Sequence, residues 1–346
     1  MPMRGKYLSR WLILAALWLI PAPVRAADVR ADFLKLIDRP RVPLAAEVTP
    51  LPSEGSLAVF HFTFAADSSG RVPGILLQST TRPSGLRPVV IALHGTGGTK
   101  ADEIPFLKEL AAKGFVAVAI DAPYHGERTK AGHGTVEYDA AIVKAWRERQ
   151  GHPFYYDTVW DVMRLIDYLD TRDDVDRDRI GLYGVSKGGV ETYLAAAVEP
   201  RVAVAIPCIG LQSFRWELEN DDWQTRISTI QNAFDAVAKE AGVASPGADF
   251  VHQFYDRVVP GIDGEFDGPA MVTLIAPRPL MAINGDSDAH TPLGSLRLCT
   301  DAAETAYQSA GHPDRFIEII EPNTGHKVTD DSREAAVEWF VKWLKP

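Results

Sequence analysis

A serine surrounded by glycines follows an apolar run near the middle of the chain. The stretch GLYGVSKGG places Ser186 between Gly184 and Gly188. A tight turn from a strand into a helix needs very small residues two positions before and after its centre, because strand and helix approach closely there. Such a turn exposes the serine hydroxyl and aims N–H groups of the new helix at its ligand. The pattern predicts a nucleophilic Ser186, although similar glycine-rich turns also bind phosphate.

A serine nucleophile needs a base, and the sequence indicates His326. A serine hydroxyl reacts poorly at neutral pH unless a histidine accepts its proton. In a parallel α/β sheet the site lies beyond the carboxyl ends of the strands, and for this type of turn the acid and the histidine follow the serine. His290, His312 and His326 follow the serine at a suitable distance; His312 precedes the predicted strand RFIEII, whereas His326 follows it. We therefore assign His326 as the base and expect His312 at the opposite edge.

The carboxylate that orients the histidine is expected in the loop NGDSDAHTP, which contains Asp286 and Asp288. Asp288 is favoured, because its distance from the end of the preceding strand lets the loop turn the carboxylate toward the histidine. Asp286 is expected to accept hydrogen bonds from nearby backbone N–H groups. The same loop also resembles a metal-binding D-x-D-x-H sequence, but no other ligand cluster supports a metal. Neither a metal nor another cofactor is therefore expected.

Chemistry at an acyl carbon also needs N–H groups that bind the developing oxyanion. The stretch LHGTGGT ends a predicted strand, and its glycines let the backbone approach a ligand. The N–H of Thr96 is the first expected donor, with Gly97 as its alternative, and the N–H of Lys187 is the second. A plain glycine turn is the structural alternative. The Lys187 side chain is expected to lean into solvent, which argues against a serine–lysine mechanism.

Other polar and aromatic residues are weaker candidates for the site. Asp121 and His125, in DAPYHGER, follow a predicted strand, and we expect them to hold their loop by hydrogen bonds. Substrate-binding candidates are Tyr124 of the same loop and Arg215 and Trp216 further along the chain. These three lie where a pocket wall is expected.

The elements that must position these residues are short strands alternating with helices. The runs LAVFHFTF and PGILLQST flank a turn-rich stretch and predict an N-terminal antiparallel hairpin. Later runs are apolar on both faces, which is typical of a parallel sheet covered by helices. The fold class is therefore α/β, with a mostly parallel sheet and helices on both faces. The predicted parallel strands are VVIAL, FVAVAI, RIGLYG, VAVAIP, PLMAIN and RFIEII.

One connection is too long for a plain crossover between strands. About 70 residues separate Pro207 from Pro279, and most crossovers are far shorter. We interpret residues 211–270 as an inserted helical cap segment. Its aromatic side chains are expected either to roof a pocket or to attach the segment to the sheet. They are Phe214, Trp216, Trp223, Phe234, Phe254 and Tyr255.

The N-terminal residues 1–26 resemble a secretory signal peptide. Three basic residues precede the apolar run WLILAALWLI, and small residues at a cleavable spacing follow it. A membrane anchor is the alternative, but a span needs roughly 20 apolar residues, and Pro21 ends this run. We therefore expect an exported protein, periplasmic or secreted, that has no membrane contact after cleavage and consists of one domain, residues 27–346.

Composition limits the partners of the chain. It has 346 residues and a net charge of −10, which argues against a nucleic-acid surface. Two cysteines, Cys208 and Cys299, permit one disulfide, but their apolar surroundings favour two buried free thiols. The oligomeric state does not follow from these features.

Several motifs in order resemble the α/β-hydrolase superfamily. They are HGTGG, DAPYHGE, DVMRLIDYLDTRDDVDRDRIGLYGVSKGG, APRPLMAINGDSDAHTP and NTGH, and they span roughly residues 57–345. Within the superfamily the chain is similar to dienelactone-hydrolase-like and acetyl-xylan-esterase-like enzymes, and to the catalytic domain of prolyl oligopeptidases. The resemblance implies a triad of Ser186, Asp288 and His326, with the backbone of Thr96 and Lys187 as oxyanion hole.

The sequence thus predicts an exported serine hydrolase that cleaves carboxylic esters, with a small-molecule or sugar ester as substrate. A peptidase or amidase that uses the same residues is one alternative. A binding protein that has lost activity is the other, although its triad would be expected to be broken.

Overall fold

The strands of this chain form one mixed sheet. The computed structural model describes residues 26–68, 70–81, 85–132 and 134–346. The strands are β1 (Glu47–Glu54), β2 (Leu57–Asp67), β3 (Gly70–Ser79), β4 (Arg87–Leu93), β5 (Val116–Ile120), β6 (Val175–Val185), β7 (Val202–Cys208), β8 (Leu280–Gly285) and β9 (Phe316–Glu321). Within the described residues these nine strands lie in the order β1-β2-β3-β5-β4-β6-β7-β8-β9. The pairings from β1 to β5 are antiparallel, and those from β5 to β9 are parallel. The predicted hairpin and mostly parallel sheet are confirmed.

Helices cover both faces of the sheet, as predicted. They are α1 (Ala26–Ile37), α2 (Ile104–Lys113), α3 (Val136–Glu148), α4 (Tyr156–Leu169), α5 (Lys187–Val198), α6 (Phe214–Glu219), α7 (Gln224–Ile227), α8 (Gln231–Glu240), α9 (Ala248–Val258), α10 (Gly268–Thr273), α11 (Leu293–Ser309) and α12 (Asp330–Leu344). Helices α2 and α12 contribute to the apolar core on one face. Helices α1, α3, α4, α5 and α11 contribute to the larger core on the other face.

The central strands are apolar throughout because both of their faces are buried. In β4, Val89, Ile91 and Leu93 belong to one core. Val90 and Ala92, between them, belong to the other. Such strands carry a strong sequence signal, and each predicted parallel strand is present with its ends shifted by a few residues.

The strand β1 is not among the predicted strands. All eight of its residues are exposed, and it contains Pro50 and Pro52. Among the described residues β1 is an edge strand of the sheet, and β2 is its one neighbouring strand. The apolar alternation that marks a half-buried strand is therefore missing from it.

The cap segment is helical, and four of its aromatic side chains are buried in the larger core. The helices α6 to α9 lie within residues 211–270, and α10 crosses the end of that range. Phe214, Phe234, Phe254 and Tyr255 are buried and contact one another through their rings. Phe234 and Phe254 belong to the same core as the helices α1, α3, α4, α5 and α11. These aromatics attach the segment to the molecule. The division of the chain into signal peptide, domain and cap stays a prediction.

Both cysteines are buried free thiols, as the sequence favours. Burial raises the pKa of Cys208 and of Cys299 well above the usual thiol value. Among the residues that the structure describes, no helix is both long enough and apolar enough to cross a membrane. The predicted signal peptide lies outside the described residues except for its last position.

Candidate active site

Ser186 occupies a strained turn between β6 and α5. Its φ is 58° and its ψ is −113°, a backbone conformation that residues other than glycine rarely adopt. A Cβ atom on Gly184 would lie 2.1 Å from the carbonyl oxygen of Gly188. One on Gly188 would lie 2.2 Å from the carbonyl oxygen of Leu93. The two glycines are therefore required by the close approach of β4, β6 and α5, as the sequence predicts.

Hydrogen bonds join the three residues that the sequence assigns to a triad. Ser186 Oγ lies 2.7 Å from His326 Nε2. On the other side of the ring, His326 Nδ1 lies 2.8 Å and 2.9 Å from the two carboxylate oxygens of Asp288. Asp288 Oδ1 also accepts hydrogen bonds from the N–H groups of His290 and Thr291. The network makes Nδ1 a donor and leaves Nε2 free to accept the serine proton.

Asp286 and His312, the alternatives to Asp288 as the acid and to His326 as the base, lie where the sequence analysis predicts. The carboxylate of Asp286 accepts hydrogen bonds from the N–H groups of Asn323 and Thr324, and these bonds lower its pKa. His312 precedes β9 and lies at the amino end of that strand. His326 follows the carboxyl end of the same strand, in the loop before α12.

The surroundings of His326 favour the neutral form of its ring. Burial lowers the pKa of His326 below its ordinary value of 6.5. The charges of Arg226 and His290 act in the same direction, while the hydrogen bond to Asp288 opposes them. The ring of His290 lies 4.7 Å from that of His326, centroid to centroid. A neutral imidazole beside Ser186 is suited to accept a proton.

The predicted oxyanion donors lie on both sides of the serine. Gly95 is so close to the turn that a Cβ atom on it would lie 3.6 Å from the Cβ of Ser186. Thr96, the next residue, lines the cavity beside the serine. Lys187 is the first residue of α5, so its N–H is one of the unsatisfied donors of a helix start. Among the described residues, neither N–H takes part in a turn or loop hydrogen bond.

A cavity of about 590 Å³ opens above Ser186. Its wall comes from the loop after β4, the cap segment and the loop that carries His326. The lining residues include Thr96, Thr135, Thr229 and His290. Three threonine hydroxyls and an imidazole share this wall with the apolar side chains of Val185, Ile209 and Val328, so the cavity offers both polar and apolar contacts to a substrate.

None of the three predicted substrate-binding side chains lines this cavity. Tyr124 lines a separate cavity of about 630 Å³, together with Arg39 and Arg71. Arg215 donates a hydrogen bond to the carbonyl of Asp263 at 3.1 Å. Trp216 packs against the start of α11, where a Cβ atom on Gly294 would lie 2.2 Å from its ring. These contacts do not place the three side chains in the cavity beside Ser186, and their role in substrate binding stays a prediction.

The side chain of Lys187 is buried, which corrects the expectation that it leans into solvent. Its exposed fraction is 1%. The reason is an ion pair with Glu191, one helical turn later on α5, which supplies the counter-charge. Lys187 Nζ also lies 3.5 Å from Thr158 Oγ1. The amine is bound away from the hydroxyl, which disfavours a serine–lysine mechanism.

The loop residues Asp121 and His125 are structural, as expected. Asp121 accepts hydrogen bonds from the N–H groups of Lys100 and Glu127 and pairs with the amine of Lys100. His125 is buried, and its Nδ1 lies 2.8 Å from the carbonyl oxygen of Pro123.

The sequence does not identify two residues at the site. Arg226 of α7 is buried, and its Nη1 lies 3.3 Å from Ser186 Oγ. His290 lines the cavity, while its Nδ1 donates to the carbonyl of Thr225. Arg226 lies in the cap segment outside any motif, whereas His290 lies in the loop NGDSDAHTP and is within reach of sequence reasoning.

Known proteins are similar to this chain in sequence and in fold. A family model described as glucuronyl esterase, fungi, matches residues 78–311. YtaP of Bacillus subtilis (strain 168) is 26% identical over 284 residues, which cover 82% of this chain and 83% of that protein. The 4-O-methyl-glucuronoyl methylesterase 1 of Wolfiporia cocos (strain MD-104) is 29% identical over 192 residues, which cover 53% of this chain and 45% of that protein. An acetyl xylan esterase from Paenibacillus sp. R4 has the same fold, with a TM-score of 0.60 at 20% identity over 92% of each chain.

These likenesses confirm the predicted resemblance to α/β-hydrolase esterases. The family model covers more than half of the chain, including Ser186 and Asp288. The chain is therefore a carboxylic-ester hydrolase. The chain belongs to the glucuronyl esterase family of carboxylic-ester hydrolases.

Proposed function

We propose that the protein is an exported serine esterase that hydrolyses a sugar ester through an acyl-enzyme intermediate. Ser186 attacks the ester carbonyl, His326 takes the proton and returns it to the leaving alcohol, and Asp288 holds the imidazole. The N–H groups of Thr96 and Lys187 bind the oxyanion. Water then releases the acid in a second cycle of the same steps. None of these steps uses a cofactor.

One observation carries the proposal. The hydroxyl of Ser186, the ring of His326 and the carboxylate of Asp288 form two consecutive hydrogen bonds of 2.7 Å and 2.8 Å. The three residues come from the ends of β6, β8 and β9, so only the fold brings them together. A nucleophile bonded to a base, and the base bonded to an orienting group, is the arrangement that serine acyl transfer needs.

Esters of a uronic acid are the substrates that we propose first. The matching family is named for glucuronyl esters, and the Wolfiporia cocos relative is named a 4-O-methyl-glucuronoyl methylesterase. The cavity beside Ser186 is open, and threonine hydroxyls share its wall with apolar side chains, a mixture that suits the hydroxyl groups and the C–H faces of a sugar ring. An acetylated sugar is the nearest alternative.

The test combines active-site labelling with steady-state kinetics. A fluorophosphonate probe should label the wild type but not Ser186→Ala. The exposed Ser309 at the end of α11 provides a matched control, because Ser309→Ala should label fully. With the methyl ester of 4-O-methylglucuronic acid, Ser186→Ala should lower kcat by about 10⁶-fold, as triad deletions do elsewhere. A loss under about tenfold would remove Ser186 from the mechanism.

Export rests on the composition of residues 1–26 and is tested separately. Mass spectrometry of the protein recovered from the periplasm or medium should find Ala27 at its N terminus. Recovery of the uncleaved chain in the cytoplasm would contradict export and leave the proposed chemistry untouched.

A further inference from the structure

A buried cation from the cap segment lies beside the nucleophile. Arg226 is only 1% exposed, and among the described residues no carboxylate forms a salt bridge with it. Buried charges are ordinarily paired with an opposite charge in contact, because an unpaired one costs several kcal/mol. The carboxylate of Glu217 reaches Arg226 only through the amide of Gln212, and that of Asp288 only through Thr291.

Most of the guanidinium is fixed by neutral acceptors. Nε donates to the side-chain oxygen of Gln212. Nη2 donates to the carbonyl of Ile209 at 2.9 Å and to the hydroxyl of Thr291 at 2.5 Å. Only Nη1 remains, and its one hydrogen-bond partner among the described residues is Ser186 Oγ at 3.3 Å. The neutral acceptors therefore hold the group in place without neutralising its charge.

The serine oxygen can accept from Arg226 while it donates to His326. A hydroxyl has one O–H donor and two lone pairs. The O–H of Ser186 is used by His326 Nε2, so the contact with Nη1 falls on a lone pair. The 3.3 Å separation is long for a charged donor and would shorten as negative charge builds up on Oγ.

We propose that Arg226 is a further catalytic residue, whose guanidinium stabilises the negative charge that develops on Ser186 Oγ during acyl transfer. This inference rests on the proposed triad. In acylation the Oγ–H proton passes to His326 Nε2, the Oγ–carbon bond forms and the carbonyl π electrons move to the carbonyl oxygen. After the alcohol has left with that proton, water attacks the acyl carbon and gives a proton to His326, and the same Oγ then leaves with its bonding pair and receives the proton of water from His326. Negative charge develops on Oγ in both steps, and a fixed cation lowers both barriers.

A merely structural role for Arg226 is the rival explanation. The same hydrogen bonds join the cap segment to the loops after β7 and β8, so a substitution will also loosen the site. The pH profile separates the two roles. Groups that face His326 are Asp288 and His290 from the loop after β8, Arg226 from α7, and Lys327, next in the chain. Removal of the Arg226 charge should raise the pKa of His326, because that charge acts to lower it.

The experiment compares Arg226→Met, Arg226→Lys and Arg297→Gln in the full chain. Arg297 is exposed on α11 and does not line the cavity, so its variant controls for the loss of one positive charge. Arg226→Met should lower kcat/KM by about 10² to 10³, the usual effect of removing one preorganised donor. It should also move the acid limb of kcat/KM to higher pH. Arg226→Lys should return the limb toward the wild-type position, and Arg297→Gln should leave the profile unchanged.

Because acid also destabilises the fold, circular dichroism of each variant across the same pH range gives its folded fraction, and kcat/KM is expressed per folded enzyme, so that partial unfolding does not imitate the shift. An acid limb that stays in place in Arg226→Met, or that moves equally in Arg226→Lys, would overturn the proposal. If Ser186→Ala retained activity, the proposed triad itself would fail, and that outcome is measured independently of Arg226.

Discussion

Asp288 and Asp286 are two residues apart in one loop, yet their carboxylates have different partners. Asp288 is bonded to the ring of His326, whereas Asp286 is bonded to backbone N–H groups of the loop that carries that histidine. In the proposed mechanism the carboxylate of Asp288 fixes the tautomer of His326, whereas that of Asp286 fixes the loop. Their substitution should therefore have different consequences for catalysis.

We expect Asp288→Asn to lower kcat by about 10⁴-fold, because an amide in this position no longer holds the imidazole with Nε2 free to accept a proton. Asp286→Asn should reduce kcat by about tenfold or less and act mainly on stability, since it weakens hydrogen bonds within a loop. Steady-state kinetics and thermal unfolding of both variants check this pair. Equal losses of kcat would mean that neither carboxylate has the assigned role.

Single residues differ in how far the sequence alone identifies them. Ser186 and His326 are predictable, because the glycine spacing and the position after a strand follow from the geometry of the turn and the sheet. Arg226 is not, since it belongs to a four-residue helix 40 residues from Ser186. No local pattern distinguishes a buried arginine of this kind from an exposed one. Only the folded cap segment brings it to the serine.

The helix α5 is held by a charge pair inside the protein. Lys187 and Glu191 are 1% and 0% exposed, and they are bonded to each other one helical turn apart. Burial raises the pKa of Glu191, while the adjacent Lys187 opposes that change. Because Lys187 follows the nucleophile, the pair anchors the first turn of the helix behind the active site.

Lys187→Met should lower the free energy of unfolding by about 3 to 5 kcal/mol, because it leaves the Glu191 carboxylate buried without its counter-charge. The double variant Lys187→Met/Glu191→Leu should recover most of that loss, since no buried charge remains. Urea unfolding of the two variants and the wild type provides the comparison. A single variant as stable as the wild type would show that Glu191 is already neutral or hydrated.

The elements of the sheet show the same contrast between strong and weak sequence signals. Strands such as β4 are recognisable because apolar side chains point into both cores. The edge strand β1 has eight exposed residues and two prolines, so its pairing with β2 depends on the neighbouring strand rather than on its own composition. Tertiary context decides such elements.

At the scale of the whole molecule, buried titratable groups make stability depend on pH in opposite directions. Burial lowers the pKa of His94 to about 4 and that of His125 to about 2. Neutral histidines of this kind contribute stability above pH 6.5, and the contribution is lost as the pH falls below that value. Glu103, at the start of α2, acts in the opposite sense. Burial raises its pKa from 4.5 to about 8.

The contribution of protonated Glu103 to stability is complete below pH 4.5 and is lost as the pH rises to about 8. The wild type should therefore lose up to about 1.4 kcal/mol of unfolding free energy per pH unit through this one group. Glu103→Gln keeps a neutral side chain at every pH, so its stability should fall less between pH 5 and pH 8. The exposed Glu304 provides the control, because Glu304→Gln should follow the wild-type curve. Urea unfolding across this range tests the difference, and parallel curves for wild type and Glu103→Gln would show that Glu103 is ionised in the folded protein.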